Sequence, residues 1–298
     1  MTDKLAPTTI SRLLHFVSRQ PLSLSRWAAR VLAAFLNVFQ LSKTSQVIRL
    51  NLNIALPHLD TTQREQLARQ AIRNELTSYF EFFNIWGAEN HKNISRIHQV
   101  HGEQLLHEAL AAQKGVVLIV PHFGTWELMN AWVNLHTAPV IMYKPSKNPD
   151  VNRFMLEARQ RLNATLVPTD ETGVRALFKH LKQGGFAAIL PDHVPKESGG
   201  IYSPFFGQNA LSSTLLSKLA AKTQCSVIGL SCLRREDLSG FELHVQTLSA
   251  EINAKDLQLS VDTLNKEMER MIHVAPEQYL WSYKRFRNLE GTPSNLYK

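Results

Sequence analysis

A histidine and a glutamate stand five residues apart, His122 and Glu127, within the segment VLIVPHFGTWELMN. On one continuous helix, five residues rotate by about 140°, so the two side chains would point away from each other. The preceding aliphatic run, 116–120, is bounded by Gly115 and Pro121, which is typical of a buried strand. A strand, a turn and then a helix would put the histidine in the bend and the glutamate in the first helical turn. We therefore expect the carboxylate to reach the imidazole.

An imidazole that is oriented by a carboxylate can act as a general base and activate a hydroxyl group. The alternative is a hydrogen-bonded structural histidine, which is common after a buried strand. No serine or cysteine stands in the sequence pattern of a nucleophile elbow, which favours a mechanism without a covalent enzyme intermediate. The pair also lacks the second histidine of a zinc-binding helix, so we predict neither a metal nor a cofactor.

Two further clusters of polar residues follow predicted strands, at 140–143 and at 186–190. The candidate site residues are Lys144, Asn148 and, further along the chain, Arg159 after the first strand, and Asp192 and His193 after the second. Ligands of an open α/β sheet collect outside the carboxyl ends of its strands. We therefore expect these clusters to meet His122 and Glu127 at one edge of the sheet.

Short apolar runs alternate with helical patterns from Gly115 onward. The predicted strands are 116–120, 140–143, 186–190, 226–233 and 242–248, and the predicted helices are 126–135, 150–162, 172–183, 212–223 and about 260–273. This alternation predicts an α/β fold with a mixed, mainly parallel sheet flanked by helices. Upstream, Thr62 and Glu65 predict a capping box for a helix that runs to about Trp86. We expect a helical N-terminal part over 1–95 and an α/β catalytic part over 96–298.

The composition is that of a packed globular protein, with 298 residues, 44% hydrophobic and 19% charged. It contains two cysteines, Cys225 and Cys232, and neither belongs to a metal-binding or redox motif. We interpret both as buried thiols of a protein in a reducing compartment.

The N-terminal segment is basic and apolar at once. The net charge is +8, and residues 1–49 supply +6 of it through seven basic residues and one acidic residue. Large apolar residues recur there at helical spacing, but the run 27–41 is shorter than the roughly 20 residues that a spanning helix needs. No cleavage site of small residues follows, so a secretory signal is not predicted.

Such a segment is typical of helices that lie on an anionic membrane surface. The alternative is a pair of amphipathic helices packed on the rest of the protein. Nucleic acid is not a predicted partner, because the charge is not accompanied by a recognition motif.

Taken together, these segments resemble the bacterial lipid A biosynthesis late acyltransferases, which belong to the lysophospholipid acyltransferase superfamily. The similarity extends from about Val47 to Arg287 and is carried by VIRLNLNIALPHL, PHFGTWE, YKPSKNP, LPDH, SPFFG and PEQYLWSYKRFR. Two positions differ from the family pattern, which commonly has arginine where Lys144 stands and glutamine where His193 stands. A lysine cannot contact a phosphate through two parallel hydrogen bonds as arginine does.

The resemblance implies a role for each candidate residue. His122 would be the general base, and Glu127 would fix its tautomer and stabilise the imidazolium. Arg159 would stabilise a tetrahedral oxyanion or contact an acceptor phosphate, with a structural salt bridge as the alternative. Asp192 would orient one of these groups or cap a turn. Lys144, Asn148 and His193 would bind substrate. Phe205 and Phe206 would line an acyl groove or belong to the core.

The function that the resemblance implies is acyl transfer at the cytoplasmic face of the bacterial inner membrane. The donor would be an acyl thioester of acyl carrier protein, and the acceptor a hydroxyacyl chain of a lipid A precursor. A basic surface would also attract acyl carrier protein, which is acidic. Two alternatives remain, an acyltransferase for a glycerophospholipid or aminolipid acceptor and a non-catalytic lipid-binding protein.

Overall fold

The computed structural model describes residues 8–39, 42–292 and 296–297. Its helices are α1 (Thr9–Ser18), α2 (Leu22–Phe39), α3 (Lys43–Ala55), α4 (Thr61–Gly87), α5 (Asn90–Ile94), α6 (Glu103–Ala111), α7 (Trp126–Val133), α8 (Pro149–Gln160), α9 (Glu171–Lys182), α10 (Leu215–Thr223) and α11 (Leu257–Ile272). Its strands are β1 (Ile97–His101), β2 (Val116–Ile119), β3 (Val140–Tyr143), β4 (Thr165–Pro168), β5 (Phe186–Ile189), β6 (Gly200–Phe205), β7 (Gln208–Ser213), β8 (Ser226–Arg234) and β9 (Phe241–Thr247). Short 3₁₀ turns occur at Glu197–Gly199, Ala250–Asn253 and Pro276–Gln278.

The main sheet has seven strands in the order β1-β9-β8-β2-β5-β3-β4. Strands β8 and β9 pair antiparallel, whereas the other neighbours in this sheet pair parallel. The prediction of a mixed, mainly parallel sheet flanked by helices is therefore confirmed. Strands β6 and β7 form a separate antiparallel hairpin.

The central strand β2 explains why its sequence is continuously apolar. All four of its residues are buried, and it pairs in parallel with β5 on one side and β8 on the other. A parallel strand that is covered on both faces has no position for a polar side chain. Because β2, β5 and β3 run in the same direction as neighbours, the segments that follow them leave the same edge of the sheet.

The start of α4 differs from the sequence prediction. The carboxylate of Asp60 accepts from the backbone N–H of Gln63 at 2.8 Å, and the side chain of Gln63 accepts from the N–H of Asp60 at 3.0 Å. The capping box predicted at Thr62 and Glu65 is wrong because the helix begins two residues earlier than that pair requires. The predicted end of the helix at about Trp86 is confirmed, since α4 ends at Gly87.

The N-terminal helices share a hydrophobic core with the sheet. One cluster of buried side chains contains Ile48 and Leu52 of α3, Ala71 of α4 and Val117 and Ile119 of β2. The elements described before β1, which begins at Ile97, are all helices, but this shared core gives no boundary between two parts. The division at residue 95 therefore stays a prediction.

Helices α1 and α2 expose several large apolar side chains. Leu13, Phe16 and Trp27 are 59%, 64% and 62% exposed. Across the described residues, no helix combines the length and the apolar character that crossing a membrane requires. The predicted apolar run ends at Gln40 and Leu41, which lie outside the described residues.

Candidate active site

His122 lies in a sharp turn between β2 and α7. The turn depends on Gly124, whose φ of +66° is a conformation that favours glycine. A Cβ atom at this position would lie 2.0 Å from the backbone oxygen of Cys232 in β8. The same oxygen accepts a hydrogen bond from the N–H of Thr125 at 2.7 Å. The close approach of β8 therefore fixes the bend that carries His122. Cys232 and the other cysteine, Cys225, are buried free thiols, as predicted.

The C-terminal segment holds the other side of this turn. The N–H of Gly124 donates to the backbone oxygen of Gln278 at 2.9 Å, and the N–H of Leu280 donates to the backbone oxygen of His122 at 3.0 Å. The segment PEQYLWSYKRFR thus contacts the histidine turn through main-chain hydrogen bonds.

The imidazole of His122 is oriented by Asp192. Its Nδ1 lies 2.8 Å from Oδ1 of Asp192, and its backbone N–H donates to Oδ2 of the same carboxylate at 3.0 Å. The side chain of Asp192 is 3% exposed and that of His122 is 30% exposed. The prediction that Glu127 fixes the tautomer is therefore wrong, because β5 lies beside β2 and delivers a nearer carboxylate.

The ionisation of this pair fixes the direction of its hydrogen bond. Burial disfavours the charged form of Asp192, but the charge of His122 and its hydrogen bonds hold the pKa of Asp192 at about 2. An ionised carboxylate can only accept a hydrogen bond, so Nδ1 carries a proton and donates it. Nε2 is then the basic nitrogen of the neutral ring.

Burial and three electrostatic interactions set the pKa of His122. Burial alone would lower the pKa of His122, whereas the charge of Asp192, its hydrogen bond and the charge of Glu127 raise it above the ordinary 6.5. Stabilisation of the imidazolium by Glu127 during the reaction stays a prediction, but the charge of Glu127 favours the protonated ring. It does so without replacing Asp192 at Nδ1.

Glu127 has its own partners in the first turn of α7. Its Oε1 accepts from a terminal guanidinium nitrogen of Arg159 at 2.6 Å, and its Oε2 accepts from the indole N–H of Trp86 at 2.8 Å. The side chains of Glu127 and Arg159 are only 5% and 15% exposed. The predicted return of Arg159 to the site by α8 is confirmed. The alternative role predicted for Arg159, a structural salt bridge, is also present, because its guanidinium pairs with the carboxylate of Glu127.

Arg159 has a hydrogen-bond donor that its ion pair with Glu127 does not use. Its Nε is buried and has no hydrogen-bond partner within the described parts of the chain. The guanidinium carbon also lies 5.8 Å from the centroid of the Tyr143 ring, within the range of a cation–π interaction. A buried donor without a partner is costly in a folded protein, and it is found where a ligand or water supplies the missing acceptor.

Two groups of the site were missed by sequence reasoning. Tyr279 is buried, and its burial together with the Asp192 charge raises the pKa of this tyrosine well above 10.0. Trp86 was named only as the approximate end of a predicted helix, yet its indole N–H donates to Glu127. Tyr279 stands in the last of the family-like segments, whereas no pattern in the sequence marks Trp86.

A buried ionic network lies under the histidine turn. Glu81 of α4 pairs with Arg26 of α2 and with Arg234 of β8, each at 2.6 Å, and is itself fully buried. Its Oε2 also accepts from the hydroxyl of Thr125 at 3.2 Å. The network therefore ties an N-terminal helix, the sheet and the turn that carries His122.

The predicted substrate-binding residues fall into two groups. Lys144 and His193 are exposed at the edge of the sheet, where His193 Nδ1 lies 3.1 Å from the backbone oxygen of Leu190. Asn148 caps α8, because its side chain accepts from the N–H groups of Asp150 and Val151. Their contacts with substrate stay predictions.

The aromatic pair Phe205 and Phe206 lies in the hydrophobic core. The two rings are 0% and 6% exposed and pack against Phe286 and Trp281 respectively. This burial favours the second of the two interpretations, that the pair belongs to the core.

Two histidine–glutamate groups in the described residues have ligand atoms close enough to hold a metal ion. They are His101, Glu242 and His244, and Glu103, His107 and His136. Neither includes His122, Asp192, Glu127 or Arg159. The prediction that the chemistry uses no metal stays a prediction.

The site as a whole suits a transferase that activates a hydroxyl by general base catalysis. Asp192 aligns the imidazole through Nδ1, Nε2 is its basic nitrogen, and Nε of Arg159, which pairs with Glu127, has no hydrogen-bond partner among the described residues. The chain belongs to the bacterial lipid A biosynthesis acyltransferase family, whose model matches residues 11–288. It is accordingly an acyltransferase of lipid A synthesis.

Individual relatives agree with this assignment. The chain is similar to a lipid A biosynthesis lauroyltransferase of Escherichia coli (strain K12), with 23% identity over 256 residues, which are 85% of this chain and 83% of the relative. A lipid A biosynthesis palmitoleoyltransferase of the same strain is 25% identical over 261 residues, 86% of this chain and 83% of the relative. A phosphatidylinositol mannoside acyltransferase of Mycolicibacterium smegmatis (strain ATCC 700084 / mc(2)155) is 24% identical over 196 residues, 61% and 63% of the two chains.

Proposed function

We propose that this enzyme transfers a fatty acyl chain from the thioester of acyl carrier protein to the hydroxyl of a hydroxyacyl chain on a lipid A precursor. The observation that carries the proposal is the His122–Asp192 contact of 2.8 Å, which leaves Nε2 as the base. The product is an ester of the acceptor, an acyloxyacyl group, and the other product is the free thiol of the carrier.

The reaction begins when Nε2 of His122 takes the proton of the acceptor hydroxyl. The oxygen then attacks the thioester carbonyl and forms a tetrahedral oxyanion. Asp192 and Glu127 stabilise the imidazolium by their negative charges, which is consistent with the raised pKa of His122. When the intermediate collapses, the C–S bond breaks and the imidazolium returns its proton to the leaving thiolate.

Arg159 stabilises the oxyanion in this mechanism. The proposal is supported by its buried Nε, which lacks a hydrogen-bond partner among the residues that the structure describes. The ion pair with Glu127 restricts the guanidinium to one orientation, so its donor is preorganised for the charge that develops. Lys144, which is exposed and follows β3 directly, contacts a phosphate of the acceptor.

The enzyme works at the cytoplasmic face of the bacterial inner membrane. Helices α1 and α2 rest on the anionic surface, with exposed Leu13, Phe16 and Trp27 inserted among the acyl chains. The basic N-terminal segment adds an electrostatic attraction to the anionic lipids. The same positive charge attracts acyl carrier protein from the cytoplasm.

Mass spectrometry of lipid A tests the proposal directly. Lipid A from cells that express the enzyme should carry one more ester-linked acyl chain than lipid A from cells without the gene. Purified enzyme should use acyl carrier protein thioesters with a higher kcat/KM than coenzyme A thioesters. Unchanged lipid A would overturn the acceptor assignment.

A second acceptor class is worth testing in the same experiment, because one relative is a phosphatidylinositol mannoside acyltransferase. An acyl chain that is added to a glycolipid or phospholipid and not to lipid A would favour that alternative. A wild-type protein that binds lipid and transfers no acyl chain would favour the non-catalytic alternative.

A further inference from the structure

A groove of about 640 Å³ lies between α2 and α4, and His122 is not among its lining residues. Ala34 contributes only a methyl group to its α2 wall, which leaves space between the two helices. Three arginines line it, Arg30 from α2 and Arg69 and Arg73 from α4. One carboxylate, Glu65, accompanies them.

The positive charge of this groove is not balanced by its own residues. Glu65 accepts from Arg49 through both oxygens, at 2.8 and 2.9 Å, and from Arg69 at 3.0 Å. Its charge is therefore shared between two guanidinium groups, and these interactions lower the pKa of Glu65 to about 2. Arg30 and Arg73 are exposed and have no salt-bridge partner in the parts of the chain that the structure describes. Guanidinium groups in such a groove match the oxygen atoms of a phosphate.

The groove borders the apolar surface of α2. Trp27 and Val31 are exposed by 62% and 51% and lie one helical turn apart. Successive residues of a helix are about 100° apart, so Arg30 stands at the flank of this apolar stripe. When the stripe enters the acyl layer of a membrane, the guanidinium of Arg30 lies at the depth of the lipid headgroups.

We propose that this groove binds the phosphate headgroup of one anionic phospholipid of the bilayer. The inference rests on the membrane association that is part of the proposed function. We assign the groove to a bilayer lipid and not to the acceptor because it lies away from the part of α4 that contacts the histidine turn. Arg73 precedes Glu81 by eight residues, about 12 Å along α4. Glu81 of α4 contacts the histidine turn through Thr125, and the residues of α4 that line the groove extend from Arg73 toward Thr61, away from Glu81.

The test uses the full chain in detergent and a monomeric short-chain phosphatidylglycerol, with binding followed by isothermal titration calorimetry. We expect saturable binding of one lipid per chain. The double variant Arg30→Gln/Arg73→Gln should bind about 30-fold more weakly, since each basic residue near an anionic headgroup contributes a factor of about five. The control Arg175→Gln removes an exposed arginine outside the groove and should bind as the wild type does.

Two further ligands identify the occupant. Inorganic phosphate and a zwitterionic phosphatidylcholine of the same chain length should each bind more weakly than phosphatidylglycerol. Binding that does not saturate, equal affinity for inorganic phosphate, or wild-type affinity in the double variant would overturn the proposal.

Acyl transfer in detergent separates this inference from the proposed function. The double variant should keep the wild-type kcat and acceptor KM, because His122, Asp192, Glu127 and Arg159 are not among the residues that line the groove. A raised acceptor KM in the double variant would assign the groove to the acceptor and overturn a bilayer lipid. Saturable phosphatidylglycerol binding by a wild-type protein without acyl transfer would overturn the proposed function and leave the groove assignment standing.

Discussion

Nδ1 of His122 lies 2.8 Å from Oδ1 of Asp192, although 70 residues separate the two along the chain. They meet because β2 and β5 are parallel neighbours whose carboxyl ends leave the same edge of the sheet. The carboxylate nearest in sequence, Glu127, instead pairs with Arg159. The site therefore contains two pairs that each include one carboxylate. Asp192 pairs with the base His122, and Glu127 pairs with the guanidinium of Arg159.

Replacing Asp192 with asparagine should change both the rate and its pH dependence. An amide can donate to Nδ1 and so leave the proton on Nε2, which lowers kcat/KM by up to about 10⁴-fold, the loss that the wrong imidazole tautomer causes in a serine protease triad. The wild-type enzyme should lose activity as the pH falls through the raised pKa of His122, above 6.5. Without the Asp192 charge this pKa falls, so the acidic limb of the kcat/KM profile should move to lower pH. An unchanged acidic limb would contradict the role of Asp192.

The sequence predicts the central strands well because their burial on both faces gives continuous apolar runs. The strand β2, the turn at Gly124 and the helix α7 all follow from residues 115–135. Strand β1 was missed because IHQVH is largely polar and only partly buried, and β4 was missed because it is a short strand at the edge of the sheet. No strand was predicted over β6, which contains Pro204, a residue that is unusual inside a strand.

The partners within the site could be predicted less well. Spacing along the chain reports on contacts within one turn, whereas the Asp192 contact depends on which strands become neighbours. Spacing alone therefore indicates Glu127, which is five residues away, as the partner of His122. The Glu81 network was not predicted for the same reason, since its members come from helices α2 and α4 and strand β8.

Arg159 and Lys144 should affect different kinetic constants. Arg159→Lys removes a preorganised donor to the oxyanion, so kcat and kcat/KM should fall together by about 10²- to 10³-fold. Lys144→Ala should mainly raise the KM for the acceptor, since a phosphate contact is present before and during the reaction. Steady-state kinetics with varied acceptor separates the two. A near-normal kcat and a raised acceptor KM in Arg159→Lys would make Arg159 a phosphate contact instead.

The exposed apolar residues of α1 should contribute to membrane binding. Phe16→Ser removes a ring that is 64% exposed, and partition into vesicles of anionic lipid should weaken by about tenfold. Val274 is equally exposed, at 64%, but lies outside the N-terminal helices, so Val274→Ser is the matched control. Co-sedimentation with vesicles at low and high salt measures both. Equal loss in the two variants, or complete release of the wild type by salt alone, would contradict apolar insertion.

The buried network at Glu81 should be important for stability. Glu81→Ala leaves Arg26 and Arg234 buried without their shared carboxylate, so the free energy of unfolding should fall by about 3–5 kcal/mol. The control Glu171→Ala breaks an exposed pair with Arg175 and should cost less than about 0.5 kcal/mol. Urea denaturation followed by circular dichroism gives both values. Similar costs for the two variants would contradict a structural role of the network.

The most direct test of the mechanism is the turnover of purified His122→Ala with an acyl carrier protein thioester and a lipid A precursor, measured by mass spectrometry of the acylated product. The general base is lost in this variant, whereas the turn is still held by main-chain hydrogen bonds to Gln278 and Leu280. The fold should therefore persist, which the melting temperature checks, and the rate should fall by about 10²- to 10⁴-fold. Wild-type turnover by a folded His122→Ala enzyme would contradict the assignment of His122 as the base.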